Sequence, residues 1–413
     1  MSKMDLQQDF YQAIKPFRVS DVYLSLGVAA VALLIYFSFI AIMLTQTNNN
    51  LYGFYGFPDG VTNGETKQTP WKDYAHPKPG YDGQFYFRLA LDPFTDKKTA
   101  FGITLDAPIV RHQRVLLPLF TWLIAGGNPE TTPLIMMAIN LAAIAGCALV
   151  GALLLSGFGV SAWYGLLFSL YPGFAVSAGR FLTEPLALFM ILSSLLMLVH
   201  RKHFAAAITL SLAVLARETS TLVVAAGFFT WLSVKISKKS SKSSFQPAVS
   251  FWVYPTLSFF LWQFWLWNNW SSVLLDRENI AKLGVPLAGF FHAMAGNITN
   301  LKPETGFYML MAVALFLYQV FICRFVRRYP LLLLISWASY FMLAVCTKTA
   351  VWSNSTSFLR ISAELNILGL LAYLIVKKEP RKLFSFIWCL AWIMSAGAEI
   401  YHLHLIRGNF LID

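Results

Sequence analysis

The stretch Tyr81-Asp82-Gly83-Gln84-Phe85-Tyr86, continued by Arg88 and Asp92-Pro93, sets one carboxylate among aromatic side chains in a polar segment between apolar runs. A carboxylate within hydrogen-bond reach of an alcohol can take its proton as the oxygen attacks, and a single Asp suffices when the leaving group is already good. The neighbours suit that chemistry: glycine lets another backbone approach, Gln84 can orient a partner, and Tyr81 and Tyr86 can pack on sugar faces. Asp-Gly equally starts an Asx or type I turn, and on residue types alone both readings stand. Further along the segment, Asp92-Pro93 and Asp106-Ala107-Pro108 read first as turn or helix-cap signals, with Asp106 open as a second carboxylate or metal ligand.

Cations recur near the ends of apolar runs. Arg111, His112 and Arg114 precede a short apolar segment, where guanidinium groups at headgroup depth can hold a lipid-linked phosphate or pyrophosphate, or simply snorkel as anchors. Arg180 with Glu184, and Arg217 with Glu218, place opposite charges at span boundaries, which makes them functional candidates. Pairing within each couple would merely fix helix ends. Arg360 stands one helical turn before Glu364, so an internal pair is expected there.

The elements that must position these groups are apolar helices. Of 413 residues, 57% are hydrophobic and 13% charged, beyond the range of an ordinary soluble domain. Several runs approach the roughly 20 residues that cross a bilayer as helix, and none alternates like a transmembrane strand. The formal charge of +12 lies in short basic clusters between apolar runs, a pattern of membrane topology rather than of a nucleic-acid face. The four cysteines, Cys147, Cys323, Cys346 and Cys389, lack CxxC or Cys/His spacing and read as small buried hydrophobes.

The reading is an all-α polytopic membrane protein with about eleven spans, at residues 22–44, 131–156, 160–178, 182–200, 204–216, 218–234, 249–267, 307–323, 330–347, 358–376 and 384–404. The first run is too long for a signal-peptide core and is expected to stay as an anchor. Lys3, Lys15 and Arg18 before it predict a cytoplasmic N-terminus (1–21) and a long first external loop, 46–130, carrying interfacial helices. Val115 to Ala125 is about half a span and is expected to lie at the interface or re-enter. If it does not cross, the clusters Arg201-Lys202, Lys235 to Lys242, Arg324 to Arg328 and Lys377 to Lys382 all fall on the cytoplasmic side. A basic linker, 235–248, then divides an N-terminal module, 22–234, from C-terminal helices, 249–413.

This order of parts resembles the GT-C superfamily of integral-membrane glycosyltransferases over the whole chain. More locally, Tyr81-Asp82-Gly83-Gln84-Phe85-Tyr86 with Arg88 to Pro93, followed by Arg111 to Arg114 and Pro118, is similar to bacterial cell-surface glycopolymer formation proteins. The resemblance implies a bacterial inner-membrane enzyme that moves a sugar from a polyprenyl-phosphate carrier to a glycan, lipid or protein acceptor on the outer face, with Asp82 as base. It implies Tyr81, Gln84, Tyr86, Arg88, Arg111, Arg114, Arg180, Glu184, Arg217, Glu218 and Arg360 as the pool of substrate contacts. Many members carry paired acidic residues where this chain has Asp82 alone, so a single-base, inverting displacement is expected, and no metal ligand is assigned; a divalent cation, Mg or Mn, stays open as a cofactor. Membrane lipids are expected partners and nucleic acid is not. A transporter or flippase of lipid-linked sugars, or a non-catalytic subunit of a glycopolymer assembly system, is the competing reading.

Overall fold

The computed structural model describes residues 16–55, 57–58, 75–76, 81–237, 245–271, 283–299, 303–353 and 355–410. Lys3, Lys15 and most of the cytoplasmic segment 1–21, residues 56, 59–74 and 77–80 of the expected external loop, and residues 238–244 of the basic linker lie outside them.

The chain is all-α. In order the helices are α1 (Val19–Gln46), α2 (Asp82–Leu91), α3 (Pro108–Gln113), α4 (Leu116–Ala125), α5 (Thr132–Gly157), α6 (Leu166–Ser169), α7 (Pro172–Gly179), α8 (Glu184–Val199), α9 (His203–Ala216), α10 (Thr221–Ser237), α11 (Ser250–Trp270), α12 (Ala288–Thr299), α13 (Pro303–Ile322), α14 (Leu331–Val345), α15 (Thr349–Ser353), α16 (Ser355–Ile361), α17 (Ala363–Lys377) and α18 (Lys382–Phe410). Two minimal strand pairs accompany them. Phe57–Pro58 runs parallel to Ala75–His76, and Thr99–Ala100 runs antiparallel to Ile103–Thr104.

Among the described residues, four helices are long and apolar enough to cross a membrane: Val19–Gln46, Thr132–Gly157, Glu218–Ile236 and Lys382–His404. They match four of the expected spans. Others are apolar helices at the expected places but shorter, including Glu184–Val199, His203–Ala216 and Leu331–Val345. At about 1.5 Å per residue, 15 residues reach roughly 22 Å, less than the ~30 Å of a hydrocarbon core. The expected span at 160–178 is broken into a 3-10 turn at Ala162–Gly165, then α6 and α7. Pro172 explains the last break, because it cannot donate its backbone hydrogen bond to a preceding turn and instead starts α7. The half-span appears as α4, one residue shorter than its expected extent, and ends at Gly126 in the left-handed region.

Outward-facing Leu, Phe and Ile are numerous, among them Leu34, Phe260, Phe264, Leu383 and Ile393. Such an apolar exterior around an apolar core is what a membrane-embedded helix bundle requires. Inside, α1 packs on α5, α5 on α8, α8 on α9, α9 on α11, and α18 on α7. Buried polar atoms stitch distant helices: Trp392 Nε1 donates to Tyr36 Oη at 2.8 Å, and Tyr36 Oη donates to the Ser169 carbonyl at 2.8 Å. The last long helix is thereby tied to the first, and both to the broken segment at α6. Tyr171 Oη likewise donates to the Leu359 carbonyl at 2.6 Å, joining that segment to α16.

Candidate active site

The helix starts that meet at the site carry a carboxylate in their first turn: Asp82 on α2, Glu184 on α8, Glu218 on the 3-10 turn leading into α10, and Glu364 on α17. The partial positive charge of exposed backbone N–H groups favours an anion at each. Arg180 and Arg217 are the residues that close α7 and α9, where carbonyls and the dipole favour a cation. Helix ends of opposite polarity therefore meet at one end of the bundle. The residue types follow from that.

The charges join into a chain that crosses between elements. Arg111 forks onto Asp106, with Nε and Nη2 each 2.8 Å from a carboxylate oxygen, and its Nη1 lies 2.8 Å from Asp82 Oδ1. The other oxygen of Asp82 meets Arg360 Nη1 at 2.8 Å, and Arg360 Nε donates to Glu184 Oε1 at 2.8 Å. Arg217 Nη2 stands 3.9 Å from Glu184, while its Nη1 donates to Glu364 at 2.9 Å and to the Arg360 carbonyl at 2.9 Å. Thr219 Oγ1 donates to Glu364, and Ser177 Oγ to Glu184. Four carboxylates thus alternate with three guanidiniums. The chain holds no surplus positive charge.

Two further pairs flank it. Arg114 forks onto Glu218 at 2.7 and 3.0 Å and donates from Nη1 to Tyr86 Oη at 3.1 Å. Arg180 forks onto Glu399 of α18 at 2.6 and 2.8 Å, and its guanidinium lies 4.3 Å from the centre of the Tyr81 ring. Arg360 stacks on the same ring at 5.6 Å, and Tyr81 Oη donates to Thr356 Oγ1 at 3.1 Å. Tyr81 is thus wedged between two cations.

Glu184 and Glu364 are fully buried and Arg217 is 3% exposed, whereas the Asp82 side chain keeps 21% of its surface and Arg111 and Arg360 keep 13% and 11%. The network opens outward through Asp106, 54% exposed, and Asp82 stands between that open end and the buried Glu184. Burial would raise its carboxyl, but the charges of Arg360, Arg111 and Arg114 more than reverse that and hold it well below the usual carboxylate range. Asp82 is ionised and doubly capped at neutral pH.

Glycine at 83 has a steric reason. A Cβ there would strike the carbonyl oxygen of Arg180, so only glycine lets the first turn of α2 dock on the end of α7. The next residue, Phe181, sits at φ 52 with its ring stacked on Tyr55 at 4.3 Å. This left-handed turn carries the chain from Arg180 back to Glu184.

The structure brings together Asp82, Tyr81, Tyr86, Arg111, Arg114, Arg180, Glu184, Arg217, Glu218 and Arg360. The pairings differ from those expected, because neighbours in sequence do not bond each other. Arg180 takes Glu399 rather than Glu184, Arg217 takes Glu364 rather than Glu218, and Arg360 takes Asp82 and Glu184 rather than Glu364. Arg88 lies elsewhere: it is fully buried and donates to the carbonyls of Ile103 and Lys97, holding the 97–105 turn. Gln84 is buried two residues beyond Asp82, about 200° round the helix from it. Sequence reasoning misses Glu399, for which a lone Glu inside the apolar run 384–404 is the available signal.

Among the described residues, no group of three or more His, Cys, Asp or Glu side chains is gathered to hold a metal ion. Asp82 and Asp106, the nearest pair in the loop, are separated by the Arg111 fork. No family model, curated protein or solved structure matches the chain.

Proposed function

We propose that this chain is a GT-C-type membrane glycosyltransferase that moves a sugar from a polyprenyl-phosphate-linked donor to a glycan, lipid or protein acceptor at the outer face of a bacterial inner membrane. The observation that carries the reading is Asp82, partly exposed and held on both oxygens by arginines from two distant elements. The phosphodiester of the donor offers guanidinium the same bidentate geometry and single charge as a carboxylate, and the phosphate monoester that leaves carries more charge still. Arriving donor would therefore draw Arg111 and Arg360 off Asp82. With its caps removed the carboxylate rises towards its ordinary basicity and can take a proton.

In the reaction the acceptor oxygen forms a bond to the anomeric carbon as the bond from that carbon to the phosphate oxygen breaks. The acceptor proton goes to Asp82, and the electron pair leaves with polyprenyl phosphate, whose charge the two arginines meet. A single displacement inverts the anomeric configuration. Tyr81 and Tyr86 supply aromatic faces beside the base. A set of ion pairs in which every arginine has a carboxylate partner also suits a scaffold subunit, in which Asp82 would only tie helices together, and a flippase would carry the intact donor across.

The test uses the full chain reconstituted in vesicles with a panel of polyprenyl-phosphate sugars, reading release of polyprenyl phosphate. Wild type should release it, and Asp82→Asn should not. The same variant should bind polyprenyl phosphate more tightly than wild type, because it no longer competes for the arginines. Undiminished release by Asp82→Asn sinks the base assignment, and movement of intact donor between leaflets without cleavage points to transport.

A further inference from the structure

α13, the end of α17 and the first half of α18 enclose an apolar groove of about 400 Å³ whose Arg381 end lies at the opposite end of the bundle from Asp82. The direction is fixed by α17, which begins at Glu364 in the charged site and ends at Lys377. Leu310, Leu317, Ile387, Leu390 and Met394 line the groove with substantial exposure, and Trp388 and Tyr318 form its floor. From Leu383 to Met394 the groove follows α18 for about 16 Å, which is close to the ~15 Å of one leaflet of hydrocarbon.

Its mouth is cationic. Arg381 lines the groove directly and lies 4.9 Å from the centre of the Phe321 ring, with Arg324 at 5.6 Å from the same ring and Lys377 at 4.3 Å from Phe325. Stacking holds the three heads at the groove mouth. Between Tyr373 and Ala398 the sequence has Lys377, Lys378, Arg381 and Lys382 against one acid, the exposed Glu379. Lys378 is turned away and donates to the Phe158 carbonyl.

We infer that this groove is a binding site for an anionic phospholipid, one acyl chain lying along α18 and the phosphate headgroup at Arg381, Arg324 and Lys377. Groove length and charge argue together: one leaflet's depth of apolar wall, closed at its polar end by cations, matches the division of a phospholipid into tail and headgroup. A polyprenyl phosphate seated here would have its phosphate at the far end of the bundle from Asp82. The site is therefore separate from the proposed donor site and does not rest on the glycosyltransferase reading.

The full-length protein is equilibrated in nanodiscs of phosphatidylcholine with phosphatidylglycerol, released into mild detergent, and its retained lipid is read by native mass spectrometry. Wild type should keep one phosphatidylglycerol in preference to phosphatidylcholine. A surface Lys or Arg contributes about fivefold to attraction for an anionic lipid, so the K377Q/R381Q pair should lose roughly 25-fold of that preference. Ala391→Trp, which fills the groove wall, should lose the retained lipid altogether. Equal retention of the two lipids by wild type, a measurement that needs no variant, overturns the site. So does displacement of phosphatidylglycerol by equimolar polyprenyl phosphate in a manner that Ala391→Trp abolishes, since the groove would then belong to the donor.

Discussion

Arg360 reaches Asp82 with one terminal nitrogen, at 2.8 Å, and Glu184 with its Nε, also at 2.8 Å. One guanidinium thus serves a carboxylate at the surface of the site and another in its interior. Removing either acid leaves the cation half satisfied, and the expected effects follow from which half is lost.

Asp82→Asn keeps the shape of the side chain but removes a charge that faces two arginines. Leaving partly buried donors without an acceptor costs about 1–3 kcal/mol, and the incomplete burial of Asp82 favours the lower part of that range. Unfolding in detergent, followed by intrinsic fluorescence, should show a modest loss of stability with the fold retained. Complete unfolding of this variant would mean that Asp82 is chiefly a structural tie.

Arg180 and Glu399 form a forked pair with Glu399 only 2% exposed on its side chain. Breaking such a pair from one side strands a buried charge and costs about 3–5 kcal/mol. Glu399→Gln should therefore lower the melting temperature more than Asp82→Asn does. Adding Arg180→Met to Glu399→Leu should recover much of the loss, and a double-mutant cycle on melting curves measures the coupling.

Gly83→Ala drives a methyl group into the Arg180 carbonyl. Overpacking of this kind costs about 1–3 kcal/mol, and here it also shifts Asp82, the preceding residue, relative to Arg360. The expected result is a loss of stability together with a loss of donor turnover. A variant that melts and turns over like wild type would show that α2 does not need its close seat on α7.

Acid sensitivity should fall into two windows. His112 is fully buried, with Nδ1 2.9 Å from the Pro108 carbonyl, and burial lowers it from 6.5 to about 4. Because its folded value lies below its unfolded one, its contribution is complete above about pH 6.5 and is lost as pH falls towards 4, on the order of 3 kcal/mol in all. Asp82 is also depressed in the fold, so its contribution persists down to the ordinary carboxylate range near pH 4 and is lost only below it. Equilibrium unfolding against pH should show that His112→Asn flattens the upper window and Asp82→Asn the lower one.

The boundary charges were legible in the sequence because an arginine or glutamate at the end of an apolar run is expensive and stands out. Their partners were not legible. Arg180 has Glu184 four residues on, yet the two are directed apart because α7 ends and α8 begins in a turn through Phe181 at positive φ. Its partner, Glu399, comes from the far end of the chain. The apolar runs at 182–200 and 204–216 were legible too and become helix over nearly those bounds, as α8 and α9, whereas their packing against α5 and α11 is something periodicity does not encode. Arg88 shows the reverse failure. Its place in the motif suggested a substrate contact, whereas the two carbonyls it reaches are supplied by a turn whose folding the local sequence did not announce.

The alternating chain of charges is drawn from both sides of the basic linker at 235–248. Asp82, Arg111, Glu184 and Arg217 precede it, while Arg360 and Glu364 follow. During synthesis, then, the first 234 residues emerge with Asp82 lacking one of its two cations and Arg217 lacking its closest carboxylate. Those groups must wait in partial neutrality until residue 364 has been made. Completion of the site thus waits on α16 and α17, and the module before the linker holds in its interior charges whose partners those later helices supply.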